Sequence, residues 1–384
     1  MIKARPEDFV VDERADLPLE EFGPYRVYLL TKNGWTTLDI LRRLARVCGV
    51  SPEAVSYGGK KDKHGLTSQF IAIRDERDFS REERGFRLEA KGFMGRPMGP
   101  DLIKANAFRV VVRDLARLEG VEAGLEAVSE SGFPNFFDDQ RFRSYDPERG
   151  FFAEKVMRRH YNGALQVYAT SLTPEMSGPE RTRRRALFEH WKDWPACRKL
   201  AADREEREIF EFLAAFPQDV ARALHKLPQD EISMRYSSFQ SHLWNELLRV
   251  VIREAVPHPI AVPGAEGPYL FWERLEGEPR DRLFGLDLPT AATRMAFPDD
   301  RTRDIFAAVL RGRDLKFGDF RTRALRKVYF KSFPRRAAII PRDLAILEKG
   351  ADEFHPSRFA ITLSFVLPRG SYATMLIRRL TLWD

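Results

Sequence analysis

The chain reads as an α/β protein of two domains, in which both chain ends build one sheet-containing domain and a mostly helical second domain is inserted between them. Three observations predict this. Apolar and β-branched residues alternate or cluster as in half-buried strands at 9–13, 26–30, 68–73 and 108–113, and again at 358–367 near the other end. Between about 151 and 336 the apolar spacing becomes helical. A chain of 384 residues with 43% hydrophobic content can bury two ordinary cores.

Taken in order, the strands at 9–13 and 26–30 are separated by an acidic, proline-bearing loop. Thr36 or Thr37 can cap a helix whose apolar positions Leu38, Leu41, Leu44, Ala45 and Cys48 recur at three and four residues. Gly49 follows where a left-handed cap would end it, and the helix is expected to pack on the sheet. A glycine-marked turn precedes the strand at 68–73. In the middle of the chain, residues 237–253 place Phe239, Leu243, Leu247 and Val250 at helical spacing. A proline- and glycine-rich stretch, 257–268, breaks the regularity before Tyr269-Leu270-Phe271, which reads as a short strand. No internal repeat or low-complexity tract is present.

Composition narrows the function classes. Lys+Arg number 64 against 57 Asp+Glu, a net +7 that permits a polyanionic partner without the bias of a basic tail. The two cysteines, Cys48 and Cys197, have no paired spacing, which argues against a disulfide framework and a CxxC metal site and fits a reducing cytoplasm. No apolar run approaches membrane-spanning length and the N-terminus lacks a signal peptide's apolar stretch, so a soluble, unexported protein is expected, with a monomer as the default. The seven histidines show no HExxH or paired ligand spacing, so no metal is expected. Neither GxxxxGK[ST] nor GxGxxG occurs, which excludes the usual nucleotide and dinucleotide loops.

Chemistry concentrates in Tyr57-Gly58-Gly59-Lys60-Lys61-Asp62-Lys63-His64-Gly65-Leu66-Thr67. One carboxylate stands among three lysines. Opposite charges nearby favour the ionised form, so Asp62 is the candidate nucleophile or base, and spare lysine charge can attract a phosphate. On composition alone the run also reads as a solvated charged turn. His64, two residues from Asp62, keeps open a hydrolase reading, an RNA nuclease or glycosidase.

The run resembles the signature loop of the TruD family of tRNA pseudouridine synthases: glycine, any, lysine, aspartate, basic, then threonine and glutamine, here 59–69. Four more segments match in order. They are Lys3-Ala4-Arg5-Pro6-Glu7-Asp8-Phe9-Val10-Val11, Leu30-Thr31-Lys32-Asn33-Gly34-Trp35-Thr36-Thr37, Pro134-Asn135-Phe136-Phe137-Asp138-Asp139-Gln140-Arg141-Phe142, and Leu367-Pro368-Arg369-Gly370-Ser371-Tyr372-Ala373-Thr374. The resemblance implies a mixed-sheet pseudouridine-synthase core interrupted by an inserted TRUD domain. It divides the chain into 1–154, 155–338 and 339–384. It also implies an isomerase that turns a uridine of tRNA, position thirteen, into pseudouridine with no cofactor. Asp62 takes the catalytic role, and Lys3, Phe9, Asn135, Phe137 and Tyr372 surround the target base.

Each carried-over residue has a plainer reading. Lys3 beside Asp62 would orient the carboxylate; otherwise it is a terminal surface lysine. Rings at Phe9, Phe137 and Tyr372 can stack on an unstacked base, but aromatics on strands are usually just packed. Asn135 can bond the Asp62 loop or the uracil edge, or simply make the turn after Pro134. Gln140 and Arg141 are expected to brace that loop. Two departures stand out: Asp138 replaces the family's glycine, where left-handed geometry would be tolerated, and Tyr372 replaces a commoner phenylalanine. The alternatives are a synthase acting on another RNA, and a non-catalytic RNA-binding protein using the basic runs Arg181 to Arg185 and Arg321 to Arg336.

Overall fold

Phe9, Val11 and Glu13 point to the buried side of strand β1 (Phe9–Ala15), one strand of a nine-stranded sheet. The computed structural model describes residues 2, 4–173, 176–321, 325 and 328–382. Ahead of the division of the chain come β2 (Tyr25–Lys32), α1 (Thr37–Cys48), β3 (Val55–Tyr57), β4 (Leu66–Ile73) and β5 (Arg81–Glu83). β6 (Phe86–Met94), β7 (Ile103–Leu115) and α2 (Glu119–Ser131) follow, and a two-residue strand, β8 (Phe133–Pro134), straddles the division.

The second unit runs through α3 (Phe152–Met157), α4 (Tyr161–Thr170), α5 (Gly178–Glu189), α6 (Trp194–Lys199), α7 (Arg204–Ala215), α8 (Val220–Ala223) and α9 (Gln229–Ala255). After these come β9 (Ile260–Val262), β10 (Tyr269–Phe271), α10 (Gly277–Gly285), β11 (Asp287–Pro289), α11 (Asp300–Arg311), β12 (Pro334–Arg336) and β13 (Ala338–Ile339). The chain then returns to the sheet with β14 (Arg342–Ala351), β15 (Phe359–Pro368) and α12 (Ala373–Leu380).

Sheet order is β14-β15-β7-β1-β4-β2-β6-β5, with β3 also paired to β4. The sheet is mixed because β1 runs parallel to β4, with Val11 opposite Thr67, while the other pairs are antiparallel. Two C-terminal strands thus complete a sheet begun by the first hundred residues. Thr36 caps α1 by accepting from Asp39 N, and Gly49 ends it at φ 64°, as the sequence requires. Its buried stripe is Ile40, Leu41, Leu44, Ala45 and Cys48, packed on Tyr28, Leu30, Ile71 and Ile73.

The contact division separates Met1–Phe133 plus Ile340–Asp384 from Pro134–Ile339. The sequence placed the first boundary at 154/155. The difference arises because residues 134–142 are bonded to the long helix α9, a partner no local pattern reveals. That helix runs Gln229–Ala255, longer at both ends than 237–253, and its buried residues include Phe239, Leu243, Trp244, Leu247 and Leu248. The stretch at 257–268 holds β9, which pairs with β10 at 269–271.

The N-terminal motif is pinned to the sheet by charge. Arg113 on β7 reaches both Asp8 oxygens at 2.8 Å and Asp352 at 3.2 Å, with all three residues buried. Burial raises the Asp8 carboxyl, but the bonds from Arg113 and Arg5 outweigh it and lower it. Arg113 therefore joins the chain start to β7 and to the turn after β14.

Candidate active site

The signature loop, residues 58–65, joins β3 to β4 and is cross-braced from three neighbouring elements. Gln69 on β4 donates Nε2 to Gly59 O at 3.1 Å and accepts from Thr37 Oγ1 at 2.9 Å. The same Thr37 hydroxyl, in the first turn of α1, accepts from Lys61 N at 2.9 Å. Lys61 Nζ pairs at 2.5 Å with Glu13, whose other oxygen accepts from Phe70 N at 3.0 Å. The loop also lies directly on β1: a Cβ at Gly65 would sit 2.6 Å from Phe9 O. Only glycine permits that approach.

Beneath the loop lies Lys32, 1% exposed. Its ammonium donates to the carbonyls of Asp62 at 2.7 Å, Trp35 at 2.9 Å and Lys61 at 3.3 Å. Burial pulls it down to about 8, against the Asp62 carboxylate, which favours the charged form. The cations of the run thus divide their work. Lys61 is committed to Glu13, Lys60 and Lys63 are exposed to solvent, and the buried charge under Asp62 comes from another strand. Asp62 itself is half-buried and His64 is exposed. Lys32 and Glu13 were not singled out as site residues, though a signal existed: Lys32 continues the inward series Tyr28, Leu30, and Glu13 continues Phe9, Val11.

Phe9 is buried on the sheet face, edge-on to Phe108 at 6.0 Å, and Phe108 stacks on Phe365 at 5.2 Å. Tyr372, half-buried, precedes α12 at φ −106°. The flanking hydroxyls of Ser371 and Thr374, with Thr67 Oγ1 and Asn106 Oδ1, are buried without a hydrogen-bond partner among the described residues. Asn106 sits in register between Glu13 on β1 and Leu367 on β15. Lys3 lies outside the described residues.

Asn135 and Phe137 belong to the second unit. The Asn135 side chain accepts from Arg335 Nη2 at 2.8 Å and donates to Arg336 O at 3.0 Å, while Arg335 also bonds its carbonyl. Phe137 exchanges two main-chain bonds with the Asn245 side chain at 2.9 and 3.0 Å. Its ring stands edge-on to Trp244 at 5.4 Å, with the Arg335 guanidinium 4.1 Å from its centroid. Asp138 adopts φ −79° and caps a short helical turn by accepting from Gln140 N, so the loop asks no left-handed geometry of it. Arg141 braces the loop through Ser241 at 3.1 Å.

The arginine run on α5 is largely spent internally. Arg183 binds Glu180 and Glu206 at 2.7 Å, Arg184 binds Glu180 at 2.6 Å, and Arg181 bonds two carbonyls; Arg183 then Arg184 hold Glu180 at about 2. Arg185 alone of these arginines is exposed. The run Arg321 to Arg336 is partly outside the described residues.

Among the described residues, His242, Glu246 and Glu266 bring possible metal-ligand atoms within 4.8 Å of one another. Guanidinium groups already occupy them. Arg249 bonds Glu246 and Glu266, both at 2.5 Å, and Arg313 Nη1 lies 2.9 Å from His242 Nε2. An arginine can only donate, so Nε2 accepts and Nδ1 carries the proton shared with Glu266. Cys48 and Cys197 are free and buried, and no described helix is long and apolar enough to cross a membrane.

A mixed sheet built from both chain ends, carrying a braced loop that presents Asp62 and interrupted by a largely helical unit, defines the class of protein. The backbone matches a solved structure assigned as tRNA pseudouridine synthase D (TruD) from Methanosarcina mazei, with TM-score 0.71, 24% identity, and coverage of 100% of this chain and 93% of that one. That likeness carries the fold. The family model for tRNA pseudouridine synthase D (TruD) matches residues 1–266 and 279–380, and the chain belongs to this family. Its relatives include tRNA pseudouridine synthase D of Leptospira interrogans, 28% identical over 99% of this chain and 96% of its own. Another is tRNA pseudouridine synthase D of Aquifex aeolicus, 28% identical over 99% and 97%.

Proposed function

We propose that this protein isomerises a uridine of tRNA to pseudouridine, at position thirteen, with Asp62 as the reacting carboxylate and no cofactor. The observation that carries the reading is the bracing of the Asp62 loop by Lys32, Thr37, Gln69 and Glu13, together with its close seat on Phe9. A loop so held presents its carboxylate at a set place, as chemistry on a fixed sugar carbon demands.

The reaction breaks the N1–C1′ bond and forms C5–C1′, the proton leaving C5 and N1 gaining one, so no electrons or groups are imported. Asp62 serves either by attacking C1′ and later leaving, or by removing the C2′ proton to give a glycal that takes the base back. Both routes begin at the same oxygen. In this reading Phe9 and Tyr372 wall the pocket in which the freed uracil turns, and the family resemblance assigns to Lys3 the cation that acts on the carboxylate. Asn135 and Phe137, tied to Arg335, Trp244 and Asn245, set the shape of the 134–142 loop that meets the RNA. The TRUD domain is read as 155–338, inside the unit 134–339, and the cytoplasm is the proposed compartment.

Pseudouridine mapping by carbodiimide adducts tests this on an unmodified tRNA pool, with wild type beside Asp62→Ala and no added metal or nucleotide. Isomerisation leaves mass unchanged, so the adduct is the readout. The expected result is one new stop at position thirteen that vanishes in Asp62→Ala while RNA binding persists. If wild type binds RNA yet leaves every uridine intact, the enzyme reading falls and a binding protein takes its place.

A further inference from the structure

We propose that Lys32 is a positioning residue for Asp62: its buried ammonium ties the carbonyls of Trp35, Lys61 and Asp62 to one point and so sets where the loop presents the carboxylate. The inference rests on the reading of Asp62 given above. A lysine is rarely fully buried, and burying its charge is costly unless the hydrogens are bonded. Lys32 has three hydrogens and three carbonyl acceptors. Successive carbonyls of an extended chain point to opposite sides, so two from consecutive residues can meet one ammonium only if the backbone bends at Asp62. The ammonium therefore holds that bend.

Charge bookkeeping around Lys32 supports a functional placement. Among the described residues no carboxylate lies within ion-pair distance of it, and the acidic group acting on it is Asp62. Lys61, the other charge acting on it, is taken up by Glu13 from β1, while Thr37 from α1 and Gln69 from β4 are neutral. As Lys32 loses its proton near pH 8, one of the three N–H donors goes and the cation under the loop disappears.

Single-turnover and steady-state kinetics on a tRNA transcript, from pH 6 to 10, would compare wild type, Lys32→Met, Lys32→Gln and Asp62→Asn. Displacing the loop by on the order of 1 Å is expected to lower kcat of Lys32→Met about a hundredfold, with KM for tRNA within about threefold. Wild-type kcat is expected to fall above about pH 8, and this limb to be missing in Lys32→Met. A Lys32→Met enzyme with kcat within about threefold of wild type, or one that keeps the alkaline limb, overturns the proposal. So does a wild-type profile that stays flat to pH 10, a result that needs no variant to fold. Lys32→Gln keeps two donors without the charge, and its loss of the limb with partial kcat separates charge from tethering. Turnover by Asp62→Asn would instead sink the reading of the site itself.

Discussion

Adding one methyl group at Gly65 measures how tightly the signature loop is seated on β1. A Cβ there would stand 2.6 Å from Phe9 O and 3.1 Å from Phe9 Cδ1, where ordinary contacts begin at 3.4 Å. Something must therefore move by on the order of 1 Å. The Phe9 carbonyl is poorly placed to yield, because β1 is paired on both sides, Phe9 to Val110 and Val10 to Leu66. The loop yields instead, and Asp62 goes with it. Overpacking of this kind costs about 1–3 kcal/mol, which for a unit of this size lowers Tm by about 2–4 °C per kcal/mol. On the proposed role of Asp62, displacing it costs about a hundredfold in rate. Thermal melting and carbodiimide mapping of Gly65→Ala read both effects. Gly59→Ala is the control in the same loop, since a Cβ there meets nothing nearer than 3.9 Å, and it should stay within about twofold of wild type. If Gly65→Ala melts and turns over like Gly59→Ala, the close seating of the loop has been misread.

Two further expectations concern buried charge. Glu13→Gln leaves Lys61 facing an uncharged partner at a site where the two side chains are 0% and 10% exposed. It should cost up to about 3 kcal/mol in urea unfolding, and Lys61→Met in the same chain should return most of it, the coupling of a double-mutant cycle. Additive losses would show the pair is not coupled. For Glu266, burial raises the carboxyl but the bonds from His242 and Arg249 hold it at about 2 against an ordinary 4.5. A carboxyl lowered in the folded state adds stability above its unfolded value and loses it as pH falls from about 4.5 towards 2. Glu266→Gln should therefore unfold about 3 kcal/mol more easily at pH 7, and the gap to wild type should narrow by pH 3. A gap that is constant between the two pH values refutes this.

Much of the candidate site's loop was legible because its parts are local. The glycines, lysines and carboxylate of 58–65 stand in one turn, and the strand beside them announces itself by alternation. β14 escaped detection since it is an edge strand exposed along most of its length, with no apolar alternation to read. Neither the left-handed geometry considered for Asp138 nor the free basic surface considered for Arg181 to Arg185 is what the structure shows. Extended backbone removed the first, and Glu180 with Glu206 largely removed the second.

By itself the sequence determined the α/β class, the strands β1, β2, β4, β7 and β15, the caps of α1, and the loop that carries Asp62, because each depends on residues within a few positions of one another. Only the tertiary structure decided which cation lies under Asp62, that Glu13 claims Lys61, that Asp8 and Asp352 share Arg113, and that residues 134–142 belong with α9. Those pairings join residues from 30 to 239 positions apart. Charge pairing acts through space, and a sequence shows which residues need partners without showing where the fold will put them.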